Sequence, residues 1–219
     1  HHDYILRAAQ AIKNGKLVAM PTETVYGLAA NAFDEKAVAG IFALKGRPQD
    51  NPLIVHVDSV PMAKNLAEFD EKAERLAEKF WPGPLTMVLK SRGAVPDGVT
   101  AGLETVGIRM PDCDVALALI SAAGVPLAAP SANKSGSPSP TSAAHVASDF
   151  GEDLLILDAG ECNVGVESTV VDMTRETPII LRPGAVTQDM LEEVIGPVDC
   201  ARAFSPMEEG RPAAPGMKY

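Results

Sequence analysis

Four basic side chains stand in distinctive segments of an acidic chain. Lys45 and Arg47 occur in KGRP, at the end of a predicted helix. Arg109 ends a predicted strand in VGIRMP, and Arg182 follows another strand in RPG. Arginine binds carboxylate or phosphate through two donors, whereas lysine acts as a point charge. These residues are candidates for binding an anionic substrate, although complementing a helix C-terminus or forming a surface ion pair would also explain them.

Hydroxyl and amide side chains are concentrated in segments that follow predicted strands. PTETVYGL, residues 21–28, and APSANKSGSPSPT, residues 129–141, each follow a short apolar run. Ligands of open α/β sheets gather beyond the carboxyl ends of strands, and hydroxyls with backbone N–H groups can bind phosphate. The plainer alternatives are a helix capped by Thr22 or Thr24 and a flexible loop.

His56 lies in a predicted strand with two different faces. Alternation places it opposite the apolar row formed by Leu53, Val55 and Val57. Such a residue is usually a partly buried histidine whose hydrogen bonds are satisfied within the protein. The more specific hypothesis is that His56 contacts a substrate. Ser168, at the start of a strand in GVESTVVD, is a weaker candidate by itself.

The sequence lacks the motifs of several common nucleotide-binding and metal-binding sites. Neither G-x-x-x-x-G-K-[ST] nor G-x-G-x-x-G occurs, so a nucleotide would not bind through a P-loop or a Rossmann turn. The three cysteines are far apart, and His56 and His145 do not have zinc-finger spacing. We therefore expect no metal held by protein side chains, and a reducing, cytoplasmic setting.

The composition, with 46% hydrophobic residues among 219, is typical of a globular protein. The formal net charge of −10 argues against binding nucleic acid through bulk positive charge. The longest apolar stretch, residues 115–130, is shorter than the roughly 18–20 residues of a membrane span, so we expect no membrane partner.

Hydrophobic periodicity predicts helices near residues 5–12, 38–45, 73–80, 115–123, 141–150 and 189–194. Strands are predicted near residues 17–20, 53–57, 85–89, 106–110, 127–129, 154–157, 169–171 and 179–181. The order is not strictly βαβ, because several strands follow one another near the C-terminal end. The pattern indicates an α/β fold with a single twisted, mixed sheet and flanking helices.

Taken together, these segments resemble the YrdC-like family, the L-threonylcarbamoyladenylate synthases. Over residues 17–187 the chain contains, in order, PTETVYGL, KGRP with NPLIVHV, WPGPLT, VGIRMP, PSAN with SG, GVESTVVD and RPG. The resemblance covers nearly the whole chain and implies a twisted α/β sheet with a concave active-site surface. One departure is Ala29-Ala30-Asn31, where the family commonly has glycine.

The resemblance implies a nucleotidyltransferase that forms threonylcarbamoyl-AMP and pyrophosphate from L-threonine, bicarbonate or CO2, and ATP. Mg2+ is expected on the ATP phosphates. A downstream threonylcarbamoyl transferase complex would then modify tRNA, and a transient tRNA contact is a further implied partner. Because the substrates supply both nucleophile and leaving group, catalysis would rest on positioning and charge stabilisation.

The family pattern also divides the candidate residues between two substrates. L-threonine is placed near Thr24, His56, Arg109, Ala129 and Ser168. ATP is placed near Lys45, Arg47, Asn51, Thr105, Ser131, Asn133, Ser139 and Arg182, with Lys45 and Arg47 as the catalytic cations.

Residues 1–204 are expected to form the catalytic domain. From Ala203 the composition changes to Pro, Gly, Glu and Arg, and PAAPGMKY at residues 212–219 resembles an interdomain linker. Residues 205–219 are therefore interpreted as a linker or tail that leads to an absent C-terminal domain and closes over the site.

Two other functions stay open. A related carbamoyltransferase would also form a carbamoyl-adenylate, but such proteins carry large additional domains with metal-binding motifs that this chain lacks. A non-catalytic RNA-binding module is the second, and the net charge weighs against it. Dependence on threonine rather than carbamoyl phosphate separates the enzymes, whereas salt-dependent tRNA binding would support the module.

Overall fold

The computed structural model of the protein describes residues 2–201. The predicted tail, residues 205–219, and the last residues of the predicted catalytic domain lie outside this range. The described helices are α1 His2–Lys13, α2 Glu35–Lys45, α3 Val60–Leu66, α4 Glu71–Phe80, α5 Asp97–Thr100, α6 Asp114–Ala123, α7 Ala143–Phe150 and α8 Gln188–Ile195. None of them is both long and apolar enough to cross a membrane.

The described strands are β1 Val18–Met20, β2 Gly27–Asn31, β3 Ile54–His56, β4 Leu85–Lys90, β5 Thr105–Arg109, β6 Leu127–Ala128, β7 Leu155–Ile156, β8 Thr169–Asp172, β9 Ile179–Arg182 and β10 Asp199–Cys200. They form one sheet in the order β10-β9-β8-β4-β5-β3-β6-β2-β1-β7. The β3–β5 and β4–β8 pairs are parallel, whereas β4–β5 and β3–β6 are antiparallel. The predicted α/β fold with a single mixed sheet is confirmed.

Two hydrophobic clusters hold the helices on the sheet. The smaller one joins α1 and α6 to β1, with Ile12, Val18 and Leu119 fully buried. The larger one includes Ile41 and Phe42 of α2 and strand residues from both halves of the sheet. The packed helices therefore support the strands and hold their ends in place.

The end of α2 shows how local sequence places two of the cations. Asp34 caps the helix by accepting a hydrogen bond from the Ala37 N–H at 3.1 Å. Gly46 adopts a left-handed conformation with φ 66°, which favours glycine and stops the helix directly after Lys45. The chain then turns toward β3, and Arg47 lies in that turn.

Some elements differ from their predictions. The helices α3 and α5 and the strands β2 and β10 were not predicted. The residues of β2 are buried on both faces apart from Asn31, so the alternation that reveals a half-buried strand is missing. The cap of α7 is Ser142 rather than Thr141, since Ser142 Oγ accepts from the His145 N–H at 3.3 Å.

Candidate functional site

A cavity of about 330 Å³ lies among the loops after β1, α2 and β6 and the ends of β3, β5 and β9. This volume falls within the range of small-molecule sites, about 300–1,000 Å³. The cavity brings together nearly all of the predicted site residues. They are Thr24, His56, Arg109, Ala129 and Ser168 from the predicted threonine site, and Lys45, Arg47, Asn51, Ser131, Asn133, Ser139 and Arg182 from the predicted ATP site.

Thr105 is the predicted site residue that does not line this cavity. It begins β5 and pairs with Lys90, whereas Arg109, at the other end of the same strand, lines the cavity. Four steps along an extended strand span about 13 Å. Thr105 therefore lies away from this cavity, and its place in the ATP site stays a prediction.

The PTETVYGL segment forms a tight turn between two strands. Thr22 Oγ1 accepts hydrogen bonds from the backbone N–H groups of Thr24 and Val25, each at 3.1 Å. The chain then enters β2, so the interpretation that Thr22 or Thr24 caps a helix is wrong. The hydroxyl's bonds to the backbone stabilise a turn instead. This turn brings the side chains of Glu23 and Thr24 to Arg109.

Arg109 belongs to a buried ion pair. Its Nη1 donates to Glu23 Oε1 at 2.6 Å and its Nη2 donates to Thr24 Oγ1 at 3.2 Å. Arg109 is 2% exposed and Glu23 7%, so the surface ion pair considered from the sequence is wrong. The other carboxylate oxygen, Glu23 Oε2, accepts from the Asp112 N–H at 2.6 Å. Arg109 is thus fixed before any ligand arrives.

Lys45 is buried without such compensation. Its Nζ donates to the backbone oxygen of Ser131, and among the described residues no carboxylate lies within ion-pair distance of it. Burial, and then the charge of Arg47, lower the pKa of Lys45 to about 7. Arg47 itself donates to the Pro52 carbonyl at 3.2 Å and lies over the Phe42 ring.

Glu167 bridges two walls of the cavity. Its carboxylate accepts from Arg182 Nη1 and from Ser139 Oγ, both at 3.3 Å. Arg182 also donates to the Ser168 carbonyl at 3.0 Å and to Ser168 Oγ at 3.2 Å. Burial lowers the pKa of Arg182, and Glu167 partly offsets that effect. The loop before β8 is therefore tied to the end of β9 and to the loop after β6.

Several buried polar atoms around the cavity lack a partner among the described residues. They are both amide atoms of Asn51, Nδ1 of His56 and Oδ1 of Asn133. Burial, and then the nearby Arg109 charge, lower the pKa of His56 to about 3, so the ring is neutral at physiological pH. Unsatisfied buried polar groups cost about 1–3 kcal/mol each. A polar ligand could recover part of that cost.

Two acidic residues beside the cavity, Glu23 and Glu167, were not predicted from the sequence. Both stand inside segments already singled out, PTETVYGL and GVESTVVD, next to predicted site residues. The adjacent hydroxyl residues were the only signal available, because sequence does not show which cation a carboxylate faces. Four basic residues and Glu167 line the cavity, so it is locally positive in an acidic chain. It suits a ligand with carboxylate and phosphate groups.

Within residues 2–201 there is no group of three or more His, Cys, Asp or Glu side chains that could hold a metal ion. The residues present therefore do not form a protein cage for Mg2+. Any Mg2+ at this site would have to be bound mainly by phosphate oxygens of a nucleotide.

The Sua5/YciO/YrdC family model, which carries the description "Telomere recombination", matches residues 10–184. The threonylcarbamoyl-AMP synthase of Pyrococcus abyssi is 54% identical over 214 residues, which cover 97% of this chain and 63% of the relative. That of Bacillus subtilis is 50% identical over 218 residues, which cover 98% and 63%.

Solved structures agree with the sequence comparison. The crystal structure of P. abyssi Sua5 complexed with L-threonine matches with a TM-score of 0.95 at 52% identity, covering 100% of this chain and 65% of that one. The chain spans 63% of the length of the curated relatives from P. abyssi and B. subtilis. Since the family model matches most of the chain and both relatives are at least half identical to it, the chain belongs to the Sua5/YciO/YrdC family.

Proposed function

We propose that the chain carries the active site of an L-threonylcarbamoyladenylate synthase, which joins L-threonine, bicarbonate or CO2, and ATP. One observation carries the proposal: a single cavity holds a buried, braced Arg109 together with three further cations, Lys45, Arg47 and Arg182. Arg109 suits an amino-acid carboxylate, and the three other cations suit a triphosphate. The relatives named threonylcarbamoyl-AMP synthase, and the similar structure complexed with L-threonine, support this assignment.

In the proposed complex, Arg109 binds the threonine carboxylate. Thr24 and the neutral His56 are polar neighbours suited to the amine or the hydroxyl. Ala129 offers an apolar contact for the methyl group. Ile54, which lies on the same strand face as His56 and also lines the cavity, adds a second apolar wall.

The proposed ATP site is formed by three cations from two separate segments. Lys45 lies at the end of α2 and Arg47 in the turn that follows, whereas Arg182 lies at the end of β9. Ser131, Asn133 and Ser139 belong to the loop after β6 and supply polar groups. Asn51, whose buried amide has no partner within residues 2–201, would gain partners there.

The reaction follows from the substrates. The threonine amine attacks CO2, and loss of a proton gives a carbamate. A carbamate oxygen then attacks the α-phosphorus of ATP, so that one P–O bond forms while the bond to the β-phosphate breaks and pyrophosphate leaves. No side chain has to become a nucleophile. The cations stabilise the charge that develops on the transferred and departing phosphates.

Other parts of the expected function stay predictions. They are Mg2+ as a companion of the phosphates, a downstream threonylcarbamoyl transferase complex, a transient tRNA contact and a cytoplasmic location. Closure of a tail over the site concerns residues outside the described range. No step above is assigned to any of these.

The deciding experiment incubates the protein with ATP, bicarbonate and threonine and measures threonylcarbamoyl-AMP and pyrophosphate. Serine replaces threonine as a control, and carbamoyl phosphate replaces threonine and bicarbonate to test the carbamoyltransferase alternative. Pyrophosphate that forms only with carbamoyl phosphate would reject the proposal in favour of that enzyme. No product with either substrate, together with salt-dependent tRNA binding, would favour the RNA-binding module.

A further inference from the structure

We propose that Glu23 is a positioning residue for threonine binding, which acts through Arg109 without touching the substrate. The inference rests on the proposed function and deepens it. Glu23 does not line the cavity, whereas Arg109 does. The Glu23 side chain is buried, and its carboxylate is held between Arg109 and the Asp112 N–H.

The contacts of Glu23 join three segments that surround the cavity. One carboxylate oxygen binds Arg109 at the end of β5, and the other accepts from the Asp112 N–H just beyond that strand, both at 2.6 Å. Its backbone oxygen accepts from the Val164 N–H at 2.8 Å, in the loop that leads to Ser168. Glu23 therefore fixes the position of Arg109 relative to two neighbouring walls.

The hydrogen-bonding capacity of arginine explains how a braced side chain can still bind a ligand. A guanidinium has five N–H donors in a planar fork, two of them on each terminal nitrogen. Glu23 and Thr24 each accept from one terminal nitrogen of Arg109. Each of these nitrogens keeps a second N–H for a carboxylate in the cavity. Glu23 thereby fixes the plane in which those donors lie.

Charge alone would give Glu23 the opposite role. A carboxylate 2.6 Å from Arg109 weakens the attraction of that cation for a second carboxylate. If the attraction between Arg109 and the threonine carboxylate dominated, removing the Glu23 charge would tighten threonine binding. If positioning dominates, the same change weakens binding, because the guanidinium loses its fixed orientation. The sign of the effect therefore separates the two roles.

The test compares Glu23→Gln with the wild-type enzyme by calorimetry and steady-state kinetics. Gln keeps the shape but puts an NH2 group toward either Arg109 or the Asp112 N–H. We expect the threonine Kd and KM to rise about 10- to 100-fold, the effect of losing one charge-assisted hydrogen bond, with the ATP KM little changed. In the Arg109→Lys background, Glu23→Gln should add much less than it does alone.

The matched control is Asp58→Asn. Asp58 also accepts two hydrogen bonds, from Ser59 Oγ at 2.9 Å and Ser121 Oγ at 2.8 Å, but it does not line the cavity. The same loss of charge there should leave both KM values unchanged. A threonine KM that rose equally in Asp58→Asn would show a general effect on stability and overturn the inference.

A second variant keeps the test decisive if Glu23→Gln does not fold. Glu23→Asp retains the charge but is one methylene too short to reach both Arg109 and the Asp112 N–H, so positioning predicts weaker threonine binding. Wild-type threonine affinity in either folded variant would overturn the inference. Failure of the wild-type protein itself to bind threonine would instead overturn the proposed function.

Discussion

Two clusters around the same cavity differ in how their cations are compensated. In the Arg109 cluster, formed by Thr22, Glu23, Thr24 and Arg109, the charge is paired with a buried carboxylate and braced by a hydroxyl. In the Lys45 cluster, formed by Lys45, Arg47 and Ser131, two cations are near each other, and within residues 2–201 the Lys45 amine donates hydrogen bonds to oxygens of Ser131 alone.

This difference indicates two ways of preparing a site for an anion. A guanidinium stays charged in proteins, so burying Arg109 requires a partner, and Glu23 provides it. An amine can release its proton, so burial of Lys45 is accommodated by a pKa of about 7. The Arg109 cluster is therefore organised before ligand binding, whereas the Lys45 cluster becomes fully charged only when phosphate groups arrive.

The largest expected effect concerns stability. Arg109→Met leaves the Glu23 carboxylate buried without its cation, and we expect the free energy of unfolding to fall by about 3–5 kcal/mol. Lys45→Met removes a buried amine that has no carboxylate within ion-pair distance among residues 2–201, so we expect unchanged or greater stability. Urea denaturation at pH 7 measures both. Equal losses in the two variants would contradict the distinction between the clusters.

The lowered pKa of Lys45 also makes the stability of the protein depend on pH. The folded-state pKa of Lys45, about 7, lies below its ordinary value of 10.5. Between these values the unfolded chain binds more protons, so Lys45 makes the free energy of unfolding rise as pH increases across that window. The stabilities of wild-type protein and Lys45→Met should therefore converge as pH approaches 10.5.

The second prediction separates the substrates. Arg47→Met removes a cation from the proposed phosphate site and should weaken ATP binding by about 1.5–3 kcal/mol, with threonine binding less affected. Arg109→Lys keeps a charge but loses the bidentate geometry, so it should raise the threonine KM far more than the ATP KM. Calorimetry with each substrate measures the split. Unchanged ATP affinity in Arg47→Met would remove Arg47 from the site.

The sequence supported more of this architecture than of its electrostatics. The stop of α2 at Gly46 and the alternation around His56 are local patterns, and the structure has both. The strand β2 lacked alternation because it is covered on both faces. A helix cap at Thr22 was an alternative from the sequence because threonine stabilises caps and turns alike. Pairing of Glu23 with Arg109 joins residues 86 positions apart, which no local pattern records.

The third prediction tests whether Lys45 becomes fully protonated when its ligand binds. Phosphate groups beside Lys45 should raise its pKa above about 7, so ATP binding at pH 8.5 should take up protons. ATP affinity should fall by up to about tenfold per pH unit above neutrality. Calorimetry in buffers of different ionisation enthalpy measures the uptake, at a pH where free phosphates are already deprotonated.

The variant Lys45→Met is the control for this measurement, since it has no proton to gain and should bind ATP more weakly with little pH dependence above neutrality. Proton uptake of the same size in the variant would assign the titration to another group. Threonine binding to the Arg109 cluster should show no transition near pH 6.5, because the pKa of His56 is lowered to about 3.

The smallest expected effect concerns the threonine methyl group. Ala129 is buried, lines the cavity and is held by a hydrogen bond from its N–H to the Ile54 carbonyl at 3.0 Å. One methyl in a pocket supports about 1–3 kcal/mol of discrimination, so serine should be used poorly but measurably. Ala129→Gly removes part of the apolar wall and should reduce the preference for threonine by about 0.8 kcal/mol, or roughly fourfold.

The ratio of kcat/KM for threonine and serine measures this change, and the structure offers a converse variant. A Cβ added to Gly27 would lie 3.0 Å from the Ala129 Cβ, so Gly27→Ala should push that residue by a few tenths of an ångström. The ratio of kcat/KM for threonine and serine should then change, while ATP binding should not. If Ala129→Gly keeps the wild-type ratio, the methyl contact must come from Ile54, and Ile54→Val should reduce the ratio instead. The Arg109 cluster would then fix the carboxylate while β3, rather than the loop after β6, selects the side chain.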